Sequence, residues 1–118
     1  MGRNVRYGIT ALNNNVTAVT TAPSLGTHGT EYPKRHDCFE CALIVTGEGV
    51  AVGDSLTIRP WWYDDVAGDW ARGSTTVVTN DGVIVAYCVG ERIAWEVTAA
   101  TVSSGHFELG QQFMNKSA

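Results

Sequence analysis

Cys38-Phe39-Glu40-Cys41, with His36 just before it and Cys88 downstream, is the one stretch of this 118-residue chain whose side chains could ligate a soft metal or exchange a disulfide. In a β-strand, side chains three positions apart point to opposite faces, so Cys38 and Cys41 share an ion only if the chain turns between them. The alternation of Phe39, Cys41, Leu43 and Val45 against Cys38, Glu40, Ala42 and Ile44 argues for a continuous strand instead. A zinc site also needs a second ligand pair, which Cys88 and one histidine would have to supply from an apolar strand. Buried or half-buried free thiols are therefore the first reading, ahead of a metal site and of a redox or disulfide role, and no metal or cofactor is assigned.

The other candidates for chemistry are scattered. His28, His36 and His106 lie far apart, and Ser24, Ser55 and Ser74 sit in no nucleophile-elbow motif, so no catalytic residue is assigned and the chain is read as a non-enzyme. Asp64, Asp65 and Asp69 have the composition of a calcium loop but not the twelve-residue EF-hand spacing, and they read first as solvated turn residues. Trp61-Trp62-Tyr63 is open to more than one use. Neighbouring residues of a strand face opposite ways, so Trp62 enters a core only if Trp61 and Tyr63 occupy the other face. That second face can be a subunit or capsid contact edged by Arg59 and Arg72, a surface packed beneath the N-terminal segment, or a sugar platform.

The elements that must position these residues are all strands. Residues 1–35 carry scattered glycines and prolines, the Asn13-Asn14-Asn15 run and many threonines, and read as an extended arm with one short strand at Val16–Thr21. Such an arm either pairs with a sheet edge or becomes ordered on a partner. Residues 36–118 form the domain. Leu56, Ile58, Pro60 and Trp62 alternate with Thr57, Arg59, Trp61 and Tyr63, and Pro60 marks that strand as an edge or as bulged there. A polar hairpin at Asp64–Asp69 returns through Trp70, and strands follow at Thr75–Thr79, Val83–Val89, Ile93–Val102 and His106–Phe113. Asn80-Asp81-Gly82 and Gly90-Glu91-Arg92 supply two tight turns, which predict a meander. Ile93, Trp95, Val97 and Ala99 point inward and Glu96 and Thr98 face water, while Phe107 and Leu109 form the inward pair of the last strand. This spacing predicts an all-β chain, an antiparallel β-sandwich of jelly-roll or immunoglobulin-like topology with an extended N-terminal arm.

A single domain of this size can bury roughly two-thirds of its unfolded surface. Only 17% of the residues are charged, a sparse surface that favours self-association. The net charge of −4 argues against a general nucleic-acid or anionic-membrane partner. Residues 1–36 set Arg3, Arg6, Lys34 and Arg35 against Glu31, a balance of +3, whereas residues 37–118 set four basic side chains against eleven acidic ones, a balance of −7. A basic arm thus precedes an acidic body, suited to docking on an acidic neighbour. No apolar run approaches the ~20 residues of a membrane span, and the start lacks a signal-peptide core, so the chain is expected to be made in the cytoplasm and to stay soluble.

The order GDSLTIRPWWYDDVAGDW followed by GVIVAYCVGERIAWEVTA resembles the small all-β virion proteins of tailed bacteriophages, over about 40% of the chain. The resemblance implies a structural role in the virion, commonly a capsid decoration or cement protein that stabilises the head by binding between major capsid protein subunits, often as a trimer, with an arm that clamps neighbours. It implies a place on the capsid surface, with tail or fibre components as relatives of similar build. Partner-binding residues are then Arg3, Arg6, Lys34 and Arg35 on the arm and Arg59, Trp61, Tyr63 and Arg72 on the aromatic strand, and removal of residues 1–30 is expected to leave a folded domain that no longer decorates shells. A carbohydrate-binding or adhesin-type module using Trp61 and Tyr63 is the alternative.

Overall fold

The computed structural model describes residues 3–6, 10–19, 31–33, 40–64, 66–87 and 92–117. These contain ten strands and no helix: β1 Arg3–Arg6, β2 Thr10–Val16, β3 Glu31–Pro33, β4 Glu40–Glu48, β5 Ser55–Asp64, β6 Asp69–Arg72, β7 Thr76–Val78, β8 Gly82–Tyr87, β9 Arg92–Thr101 and β10 His106–Ser117. All pairings are antiparallel. Sheet I runs β1-β10-β4-β8, with β2 also on β10, and sheet II runs β3-β9-β5-β6, with β7 also on β5.

Alternation places the apolar face of every long strand inward. Cys41, Leu43 and Val45 of β4, Ile84 and Ala86 of β8, and Phe107 and Leu109 of β10 meet Leu56 and Ile58 of β5 and Ile93, Trp95 and Val97 of β9 in one buried cluster. Each large side chain removed from water there contributes about 1.5–3 kcal/mol. The sheets are also joined by a hydrogen bond: Trp95 Nε1 donates to Gln111 Oε1 of β10 at 2.6 Å, both residues buried.

The segment read as an arm supplies three strands. β1 lies against Met114–Ser117 and β2 against Phe107–Gln111, while β3 pairs with the start of β9. The short strand expected at Val16–Thr21 falls earlier, at Thr10–Val16, and takes in the asparagine run. Pairing with β10, not side-chain periodicity, makes that segment extended, and its register breaks twice. Val16 is 2% exposed and belongs to the core, so removing residues 1–30 would strip a core side chain and the strand beside β10, contrary to the expectation of an independently folded remainder.

Pro60 was expected to mark an edge strand or a bulge, yet β5 is central in sheet II, between β9 and the pair β6 and β7, and its register shift falls at Thr57/Ile58 rather than at Pro60. The neighbouring edge is interrupted at residues 73–75, opposite Pro60, whose carbonyl accepts the Gly73 N–H at 2.8 Å. The missing donor of the proline therefore points where no ladder bond is due. Gly73 is fixed by the same packing, since a Cβ there would lie 2.8 Å from both Pro60 Cγ and the Trp62 ring.

The expected meander does not form. β7 belongs to sheet II, β8 to sheet I and β9 to sheet II, so the Asn80-Asp81-Gly82 turn carries the chain across the core rather than back along its own strand. Val78 and Ile84, on either side of the turn, are both buried, and Asp81 Oδ1 accepts the Gly47 N–H at 3.1 Å, tying the crossing to β4. On β9 the register slips between Thr57 and Ile58, leaving Thr98 as a bulge whose Oγ1 donates to the Thr57 carbonyl at 3.3 Å. The slip reverses the alternation. Ala99, expected inside, is exposed, and Ala100 and Val102 pack on the core instead.

One end of the molecule is organised by Asp54. Its amide donates to the Ala51 carbonyl at 3.1 Å, closing a turn with Gly53 at φ 94°, and its carboxylate accepts the N–H groups of Ala51 (2.9 Å) and Ser103 (3.1 Å) and the Ser103 hydroxyl (2.8 Å). The β4–β5 and β9–β10 connections are thereby locked together.

Candidate functional surface

The outer face of sheet II gathers Arg59, Trp61 and Tyr63 from β5, Trp70 and Arg72 from β6, and Glu96 from β9. Register sets Arg59 beside Glu96, Trp61 between Ala94 and Arg72, and Tyr63 beside Trp70. Trp61 Nε1 donates to Glu96 Oε1 at 2.8 Å, and Arg59 Nε lies 3.7 Å from the same oxygen, with the two charged side chains 23% and 17% exposed. Glu96 was expected to face water. It does lie on the outer face, but an indole and a guanidinium cover it. Tyr63 and Trp70 meet edge to face at 5.4 Å and 69°, an arrangement favoured by the ring quadrupoles.

Trp62 takes the opposite side, as alternation requires: it packs on the core and its Nε1 donates to the Tyr87 carbonyl of β8 at 2.8 Å. Trp61 and Tyr63 are left half-buried on the outside, and Arg72 is exposed. Two buried donors of this face, Arg59 Nε and Trp70 Nε1, have no hydrogen-bond acceptor among the described residues. Such groups cost about 1–3 kcal/mol each. The face is thus a band of aromatic rings flanked by guanidinium groups, chemistry suited to non-covalent contact with another molecule's surface.

Of the residues assigned to partner binding, Arg59, Trp61, Tyr63 and Arg72 lie together here, whereas Arg3 and Arg6 belong to β1 in sheet I, and Lys34 and Arg35 lie outside the described residues. The Asp64–Asp69 hairpin uses its carboxylates locally: Asp64 Oδ1 accepts the N–H groups of Val66 (3.0 Å) and Ala67 (3.1 Å), and Asp69 Oδ1 that of Trp70 (2.7 Å). Asp65 lies outside the described residues. Cys41 is buried in the core, while Cys38, Cys88, His28 and His36 also fall outside the described residues. Among the described residues no group of three or more His, Cys, Asp or Glu could hold a metal ion. His106 Nε2 lies 3.8 Å from Glu108 Oε1, a strand neighbour.

Glu96 and Trp70 were not singled out from the sequence as parts of this face. The signal that could have found them is cross-strand register: once Arg59 is paired with Glu96 and Tyr63 with Trp70, opposite charges and two rings fall side by side.

No protein-family model and no curated protein matches the sequence. Among solved structures, the crystal structure of PBSX exported protein XepA matches with a TM-score of 0.61 at 12% identity, over 97% of this chain and 38% of that one. What the two share is the fold. The chain thus spans well under half the length of XepA. The crystal structure of PirA aligns over 98% of this chain and 93% of its own, at 17% identity and a TM-score of 0.35.

Proposed function

We propose that this chain is a phage-associated, non-enzymatic structural protein, a capsid decoration or cement protein that binds the major capsid protein through the outer face of sheet II. The observation that carries this reading is the clustering of Trp61, Tyr63 and Trp70 with Arg59 and Arg72 on one half-exposed sheet face. Aromatic rings and arginines are the side chains that most often anchor protein contacts, because the rings bury large area at little conformational cost and the guanidinium presents several donors in a fixed planar fork. The fold shared with the PBSX exported protein XepA supports the phage association, and in this reading the chain sits on the virion surface.

Arg59 is neutralised by Glu96, whereas Arg72 at the rim is exposed and steers association with an acidic surface. The arm residues Arg3, Arg6, Lys34 and Arg35 form a second grip in this reading, with the +3 balance of the N-terminal segment as its support.

The test is co-sedimentation and particle imaging of the purified chain with assembled shells of its phage. Saturable occupancy that Trp61→Ala and Arg72→Glu both lower by about tenfold or more, with the fold intact, is the expected result. A chain that ignores shells yet binds a glycan array, with the signal lost in Trp61→Ala, replaces this reading with a carbohydrate-binding module.

A further inference from the structure

We propose that the outer face of sheet I receives the aromatic and arginine face of sheet II from a second copy of this chain, so that self-association and shell binding compete for the same rings. The competition rests on the reading of the outer face of sheet II as the shell contact, whereas the self-contact stands without it.

The outer face of sheet I is built by alternate residues of β8, β4 and β10, flanked by β2. Register aligns Val83, Ile44, Gly110 and Ala11 in one row across the four strands. Val83 is 61% exposed, Val85 of the same strand 54%, and Ile44 is half-buried, so the row belongs to an apolar stripe open to contact. Gly110 has no side chain to fill its place, and the register of β2 breaks on the way to it. What results is a depression of about 340 Å³ lined by Ala11, Asn14, Ile44, Thr46, Glu108 and Gly110. Glycines inside strands and bulges beside them are where other groups approach a sheet closely.

Charge complementarity selects the occupant. β2, β4, β8 and residues 106–114 of β10 contain no lysine or arginine, while Glu48 and Glu108 stand on this face. The outer face of sheet II has the opposite character, with Arg59 balanced by Glu96 and Arg72 exposed at the rim. A two-fold contact would set like face on like face, acid against acid or guanidinium against guanidinium. A head-to-tail contact sets sheet II of one copy on sheet I of the next and brings opposite charges together.

The spacing of the two faces also matches. Arg72 lies one strand from Trp61, and Gly110 one strand from Ile44, each step being about 4.8 Å. A copy that seats Arg72 in the depression, with its stem along the apolar wall and its guanidinium toward Glu108, sets the Trp61 ring on Ile44. Val83 lies one strand further on, within reach of the remaining rings. Each face spans four strands over about five residues, on the order of 400 Å² per copy. The contact falls below the roughly 1,200 Å² of a standard interface, so association depends on concentration. Being head-to-tail, it extends into longer assemblies or closes into a ring.

The experiment is sedimentation of the full chain, without shells, over a range of concentrations. Wild type is expected to associate, and Glu108→Arg and Arg72→Glu each to weaken association about tenfold or more, since each sets like charges together. An equimolar mixture of the two variants is expected to regain the association that neither shows alone, because each supplies the face the other lacks. Glu108→Gln, which keeps the shape, is expected to lower association several-fold and decides alone should Glu108→Arg fail to fold. In co-sedimentation with shells, Glu108→Arg is expected to reach at least wild-type occupancy, because self-contact no longer covers its rings. A monomer at all concentrations, association indifferent to both Glu108 variants, or a mixture no better than its components overturns the self-contact. Weaker shell occupancy by Glu108→Arg overturns the competition. If neither wild type nor variants bind shells while the mixture still associates, the shell reading falls and the self-contact stands.

Discussion

Trp95 of sheet II and Gln111 of sheet I hold each other across the core through a 2.6 Å hydrogen bond between side chains that are 4% and 1% exposed. The amide is the acceptor that lets an indole N–H be buried without loss, and it fixes how the two inner faces slide against each other. Gln111→Leu is therefore expected to cost about 1–3 kcal/mol, mostly the desolvation of the orphaned indole N–H. Trp95→Ala is expected to cost about 3–5 kcal/mol by leaving a cavity. In urea denaturation the double variant Trp95→Phe with Gln111→Leu should be less destabilised than the sum of its single changes, because neither partner is left unsatisfied. Strict additivity would show that the bond does not couple the sheets.

Asp54 gives the fold an acid limit. The Ala51 N–H, with further bonds from the Ser103 hydroxyl and the Ser103 and Ser104 amides, holds its carboxyl below the ordinary aspartate range, while burial pulls the other way. A carboxyl whose pKa is lowered by folding stabilises the native state above its unfolded value of about 3.9, and that contribution is lost as pH falls through the lower folded value. Thermal unfolding of wild type is expected to weaken below about pH 4, and Asp54→Asn to start lower and to show a shallower decline. Parallel profiles for the two proteins would assign the acid sensitivity to other carboxylates.

Alternation made most of the inner faces legible, because a period of two is written directly in residues such as Leu56, Ile58 and Pro60 and needs no knowledge of partners. The partners themselves were not legible. Asp81-Gly82 encodes a tight turn, but the choice between returning in the same sheet and crossing to the other depends on Val78 and Ile84 both finding the core. Thr98 looks like any outward residue until its bulge turns Ala99 out and Ala100 in. The aromatic face was half visible, in Arg59, Trp61 and Tyr63 along one strand. Its other half, Trp70 and Glu96, comes from two further strands whose register no local pattern sets.

Gly73 is the backbone's accommodation of Trp62 and Pro60. Gly73→Ala is expected to lower stability by about 1–3 kcal/mol through overpacking, because the added methyl must displace the edge of a ring packed on the core and a buried proline. The check is chemical denaturation of Gly73→Ala beside Gly68→Ala. At Gly68 a Cβ would meet nothing, but φ of 70° makes that substitution costly through backbone strain of about 1 kcal/mol. Relief of Gly73→Ala by Trp62→Leu, with no such relief of Gly68→Ala, would identify the collision as the cause.

Glu96 separates a structural role of the outer face from a binding role. It accepts the Trp61 indole N–H and balances Arg59, so Glu96→Ala frees both the ring and the guanidinium without removing either. In a face that only completes the fold, loss of this half-buried bond costs about 1 kcal/mol and nothing else. In a face that binds a partner, the freed Trp61 must be ordered again on contact, an entropic cost of about 0.5–1.5 kcal/mol that appears as a several-fold faster dissociation. Glu96→Gln keeps an acceptor for the indole but drops the charge, and is expected to restore the residence time of the complex while lowering stability slightly. Dissociation rates on shells for wild type, Glu96→Ala and Glu96→Gln measure this order directly. Equal rates for all three would leave Glu96 a structural residue and move the contact away from Trp61.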